Sequence, residues 1–333
     1  MNLYIILFII GLLIILGAYI SVKSQFEHFA NAYEYKNTEY KVSYPDKNEI
    51  KDKICSNNYF KFFKLLDSQA RNFKFTFEDF KNVYDSSIKE ITQQEQKGFE
   101  LFYNDIVQTI PSEFRHQLLP FNLKMVKLVG VENGFPHTHS DLIIFDQPFY
   151  TTLSNYQPGE LKENQNMSNA KTLIHEILHT KQRTDITFYD KLFHQWGFQS
   201  LSYDYLSGMV SKSIVSRIRL NPDELPDYRF WVWRNQVIPM VIYNGFNISS
   251  IANVKTIGVK WLNNEESMDD YKPIEKFTNY NSFFAIRNNA YHPNEILAEY
   301  QSIYFTEIIG DSVSSEILNS EGYKLYKQFM KTF

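Results

Sequence analysis

The stretch Thr172-Leu173-Ile174-His175-Glu176-Ile177-Leu178-His179-Thr180-Lys181-Gln182 decides how the rest of the chain is read. It reads as the interior of a helix, and Ser168 stands ahead of it as an N-cap. On a helix with 3.6 residues per turn, His175 and His179 emerge on one face, one turn apart, and can share one metal ion. Glu176 follows the first histidine directly, which suits a general base acting on a zinc-activated water. Leu173, Ile174, Ile177 and Leu178 back the helix with apolar surface, so the two imidazoles are carried by a core helix.

Two imidazoles do not complete a zinc site; a third protein ligand is required, with the fourth position left for water. The segment His292-Pro293-Asn294-Glu295-Ile296-Leu297-Ala298-Glu299-Tyr300 supplies the best candidate. With Pro293 as first helical residue, Glu295, Glu299 and Ser302 share one face, and Leu297, Tyr300, Tyr304 and Ile308 form the core-facing stripe. Two carboxylates on one turn repel unless a cation faces them. A zinc ion on Glu295, with Glu299 accepting from the distal N–H of His175, meets that need. Tyr291 is the nearest donor for an oxyanion. Among other ligands weighed, His194 and His292 stand alone, and the pair His137 and His139 precedes a strand with no further histidine pattern beside it.

H-E-I-L-H followed by N-E-I-L-A-E resembles the gluzincin clan of metallopeptidases, the thermolysin and lethal-factor-like enzymes. The resemblance implies a zincin-like α+β domain, one catalytic zinc, and a peptide or protein substrate. It makes His175, His179 and Glu295 the ligands, Glu176 the base and Glu299 the residue that orients His175. It also implies that Leu142 to Phe145 is the edge strand along which an extended peptide is laid. The resemblance covers residues 123–182 and 291–309, and the segment between His179 and Glu295 is longer than the family usually has. A metzincin-like enzyme would take Asp185 as third ligand, but that arrangement needs glycine where Gln182 stands. An inactive zincin scaffold, serving as a membrane-attached structural or binding protein, is the rival reading. The intact His175, Glu176 and His179 argue against it.

Outward from these motifs, residues 3–20, from Leu3 through Ile20, form an apolar run without charge. At about 1.5 Å per helical residue it nearly spans a ~30 Å hydrocarbon layer, and it reads as a retained single-pass transmembrane helix in a lipid bilayer. Lys23, Lys36 and Lys41 follow it, which leans toward a cytoplasmic body and leaves the topology open. Residues 23–56 read as a juxtamembrane stalk and 57–115 as two or three helices. Residues 116–333 read as the catalytic domain, with strands at 123–131 and 142–145, helices within 188–218 and a β-rich insertion at 221–275. The net charge of −4 and pI near 6.1 leave no electrostatic footprint for nucleic acid. One cysteine, Cys55, excludes an intrachain disulfide and cysteine-rich zinc folds, and reads as a buried small hydrophobe.

Overall fold

The computed structural model describes residues 40–224, 229–261 and 271–332. The single-pass membrane localisation is corrected here: among the described residues no helix is long and apolar enough to cross a membrane. The longest described helix, Asn164–Thr184, has the length but carries Lys171, Glu176, Lys181 and Arg183. The run from Leu3 to Ile20 lies outside the described residues.

The fold is mixed α and β. Strand β1 (Lys41–Ser43) and helix α1 (Lys47–Ile54) belong to it, so the expected stalk is part of the packed body from Lys41 onward. Asp46 caps α1 by accepting from the backbone N–H groups of Asn48 and Glu49, and Ile50 and Ile54, one turn apart, bury its inner face. Two short helices, Asn57–Phe60 and Leu65–Ala70, precede α2 (Phe77–Ser87), β2 (Ile88–Lys89) and α3 (Gln93–Thr109). Helix α3 opens with a reciprocal cap between Thr92 and Glu95.

The first sheet adds β3 (Asn122–Leu128), β4 (His137–His139) and β5 (Leu142–Phe145) in the order β1-β3-β5-β4, with β2 sharing the outer edge of β3. Strands β3 and β5 run parallel, and β4 returns antiparallel to β5. Alternate residues face opposite ways. Leu123, Met125, Ile143 and Phe145 pack on α3 and the following helices, while Val126, Leu128, Leu142 and Ile144 pack under α1 and α2. Both faces are covered at the centre of the sheet, in keeping with the continuous apolar run of β5.

Helix α4 (Asn164–Thr184) starts four residues before Ser168; Leu161 and Met167 anchor its first turn in the core. Helix α5 (Ile186–Trp196) leads into β6 (Phe198–Leu201), which lies in a stretch expected to be helical. The second sheet has the order β10-β9-β8-β7-β6, all antiparallel, from β7 (Phe230–Trp233), β8 (Val237–Tyr243), β9 (Val254–Lys260) and β10 (Tyr271–Pro273). Helix α6 (Thr278–Phe284), α7 (Pro293–Ile308) and α8 (Glu321–Met330) complete the chain. His292 caps α7 through its Nδ1, with Pro293 in the first turn. Cys55 is buried and free, as expected of a small hydrophobe.

Candidate metal centre

Helices α4 and α7 pack against each other and bring the two motifs into one cluster. On α4 the Nε2 atoms of His175 and His179 lie 3.1 Å apart. On α7 the Glu295 carboxylate lies 3.4 Å from His175 Nε2 and 3.7 Å from His179 Nε2. Ligand atoms held ~2.0–2.1 Å from a tetrahedral ion are roughly 3.4 Å from one another, so the spacing fits a zinc-sized ion. Leu173, Ile174, Ile177 and Leu178 are buried behind the site and fix the helix that presents the imidazoles.

The hydrogen bonds fix the proton on His179. The Asn294 carbonyl can only accept, so Gln182 turns its amide N–H toward it at 3.0 Å. Its Oε1 then faces His179 Nδ1 at 2.8 Å, which must carry the proton. Nε2 of His179 therefore holds a lone pair aimed at His175 and Glu295. A buried lone pair facing an imidazole nitrogen and a carboxylate calls for a proton or a metal cation between them.

The electrostatics agree with that. Burial works against charge on His175, but Glu295, Glu176 and Glu299 outweigh it and hold its pKa at about 9. Burial would raise the Glu295 carboxyl, yet His179 and His175 hold it below the usual range. His179 itself is pushed down, first by burial. Burial and then Asp223 push the Glu176 carboxyl well up, and its Oε2 is buried without a hydrogen-bond partner.

Two groups among the described residues can hold a metal ion: His175, His179 and Glu295, and Glu176, His179 and Asp223. With Nδ1 of His179 committed to Gln182, both need the same Nε2, so they are alternatives. Asp223 is already engaged: its Oδ1 accepts the Thr138 backbone N–H at 2.8 Å and hydroxyl at 2.6 Å. In the first group Glu295 accepts one hydrogen bond, on Oε1 from Asn221 Nδ2 at 2.6 Å, and its Oε2 faces His175 Nε2 at 3.4 Å.

The cluster opens into a cavity of about 960 Å³ whose lining includes His175, Glu176, Arg219, Asn221, Tyr291 and Glu295. The Tyr291 hydroxyl accepts from Asn221 Nδ2 at 2.9 Å and from Arg219 Nη2 at 3.2 Å. Both of its lone pairs are thus engaged, which leaves its own proton to donate elsewhere. Asn221 Nδ2 also donates to Glu295 Oε1 at 2.6 Å, tying the tyrosine to the cluster.

Other expected residues fall as follows. Glu299 Oε2 stands 3.9 Å from His175 Nδ1, within electrostatic reach and beyond a hydrogen bond. Asp185 is exposed and caps α5 by accepting from the Phe188 N–H at 3.0 Å. His194 faces the Phe198 carbonyl, and His292 is spent on its cap. His137 and His139 lie on β4 with buried, unpartnered Nε2 atoms and belong to neither metal group.

Leu142–Phe145 is not the edge strand: β5 lies between β3 and β4, and β4 is the edge. At Thr138 that edge is already filled, since Asp223 takes its N–H and Arg183 Nη2 donates to its carbonyl at 3.0 Å. An extended peptide cannot pair there without displacing both side chains. Gln182, Asn221 and Asp223 were not singled out as site residues from sequence. Gln182 carried a readable signal, three residues after His179 on the same helix face.

Comparison with known proteins returns no relative: no family model matches the chain, and no curated protein or solved structure does.

Proposed function

We propose that the chain is a zincin-like, zinc-dependent peptidase of the gluzincin type. The observation that carries this reading is the convergence of the His175 and His179 Nε2 atoms and the Glu295 carboxylate beside the unpartnered Oε2 of Glu176. Two imidazoles and a carboxylate form a ligand set that suits zinc. His175, His179 and Glu295 would hold it, and Gln182 would keep His179 in the ligating tautomer. When bound, zinc polarises a carbonyl and lowers the pKa of water.

Glu176 takes a proton from the attacking water and passes it to the leaving amine. Its carboxyl, raised by burial and by Asp223, is suited to hold that proton in transit. Tyr291, with Asn221 and Arg219 donating to its oxygen, directs its own proton toward the developing oxyanion. Asn221 positions both Tyr291 and Glu295.

The test is Glu176→Gln in the purified full chain. One zinc per chain by elemental analysis is expected in wild type and variant alike, with unchanged thermal stability. Peptide hydrolysis should fall by at least ~10²–10⁴-fold. A variant that cleaves at the wild-type rate, or a wild-type chain that binds no zinc, would sink the reading.

A further inference from the structure

The cavity that contains the metal cluster also holds a cation with no counter-charge against it. Arg219 is anchored by its backbone N–H, which donates to the Val241 carbonyl at 3.2 Å. Its side chain lines the cavity beside Asn221, Tyr291 and Glu295. Nη2 reaches the Tyr291 hydroxyl, and the guanidinium carbon lies 5.8 Å from the centre of that ring. Nε is buried and has no hydrogen-bond partner. Among the described residues Arg219 makes no ion pair, and Glu224 acts on it only from a longer range. Of the other arginines lining this cavity, Arg71 lies against a carboxylate, its Nε 2.7 Å from Glu132, and Arg287 is exposed to solvent; Arg183, close to the site, has Nη2 3.6 Å from Asp223.

An arginine cannot shed its charge, and a buried N–H left unmet is costly. Holding Tyr291 uses one of five donors and does not account for the rest. The planar fork matches a carboxylate.

We propose that Arg219 binds a carboxylate of the substrate close to the bond that is cut. It belongs either to the C-terminus of a peptide or to an aspartate or glutamate side chain. The inference rests on the peptidase reading above. The position follows from geometry: Arg219, Tyr291, Asn221 and Glu295 are joined by consecutive hydrogen bonds of 3.2, 2.9 and 2.6 Å. At about 3.5 Å per extended residue, the anion lies within about two residues of the scissile bond.

The experiment uses the zinc-loaded full chain and quenched fluorescent peptides in matched pairs. One pair differs only in a free C-terminal acid against a carboxamide. A second series walks a single Glu, against Gln, across the positions flanking the cleaved bond. One member of these sets should be preferred by about 10- to 100-fold in kcat/KM, carried by KM, and its identity names the source of the carboxylate. In Arg219→Gln that ratio should collapse toward one, and in Arg219→Lys part of it should remain. A uniform loss with the ratio intact means that Arg219 only holds Tyr291, and overturns the proposal. Wild-type cleavage of acidic and neutral members at equal rates overturns it as well, whatever the variants do, and leaves the peptidase reading standing. Failure to cleave any member brings down the peptidase reading and this inference with it.

Discussion

Replacing Gln182 by alanine probes the step on which the metal site turns, the choice of His179 tautomer. The amide bridges the Asn294 carbonyl (3.0 Å) and His179 Nδ1 (2.8 Å), and so couples the start of α7 to the ring on α4. Without it, His179 is free to carry its proton on Nε2, the atom that faces His175 and Glu295, and that proton must be displaced before a metal binds. Loss of such a partner costs about 10- to 100-fold in metal affinity, or about 1.4–2.7 kcal/mol. The Asn294 carbonyl and the His179 Nδ1, left without their partner, add a folding cost of about 1–3 kcal/mol. Gln182→Glu separates the two effects. It keeps an acceptor for Nδ1 but sets a carboxylate against the Asn294 carbonyl, so it should lose stability while retaining more zinc affinity than alanine. Competition titration with a chromophoric chelator measures the affinities, and urea unfolding of the metal-free chains measures the stabilities. If Gln182→Ala binds zinc as tightly as wild type, the tautomer argument is wrong.

The same titration should rank Glu295→Ala far below Glu299→Ala, because Glu295 lies within the cluster whereas Glu299 stands 3.9 Å from His175 Nδ1. Asp185→Ala should leave zinc affinity intact and cost about 0.5–2 kcal/mol of stability as a lost helix cap; if it releases the metal, the gluzincin ligand set is refuted. Glu132, which belongs to neither candidate metal group, gives a pH prediction. Burial alone would raise its carboxyl, but Arg71 and His137 hold it at about 2, below the ordinary 4.5. The carboxylate therefore contributes stability that is whole above pH 4.5 and is lost as pH falls toward 2. Glu132→Gln should cost about 3–5 kcal/mol at pH 7 and progressively less below pH 4.5, read by urea unfolding across that range; a pH-independent cost would contradict it.

The strands that could be read in advance are those whose signal is local. Leu142–Phe145 and Val237–Tyr243 are short apolar runs buried on both faces, and their bounds follow from that burial. Strand order has no such signature. Which strand forms the edge depends on β4 folding back antiparallel on β5, and on Asp223 and Arg183 arriving from later in the chain to fill its outer side. Residues 41–54 were read as stalk because α1 is polar apart from Ile50 and Ile54, and β1 has only three residues. Their place in the fold comes from β3, far along the chain.

The site divides in the same way. His175, Glu176 and His179 were legible because helical periodicity alone brings them together, and Glu295 because a second helix carries its own pattern. Asn221 and Arg219 show no period, and their roles depend on how their loop is held. Leu220, between them, donates its N–H to Asp67 Oδ1 at 2.9 Å and accepts at its carbonyl from Arg71 Nη2 at 3.1 Å. Arg71 is in turn bound to Glu132, which also accepts from Tyr59 and Tyr84. A buried charged network in the N-terminal helices thus clamps the backbone that carries Asn221 to Glu295 and Arg219 to Tyr291. Those helices lie outside residues 123–182 and 291–309, the segments from which the candidate metal ligands were read. Substitutions at Asp67 or Arg71 should therefore disturb Tyr291 and Glu295 through Leu220, without touching either residue.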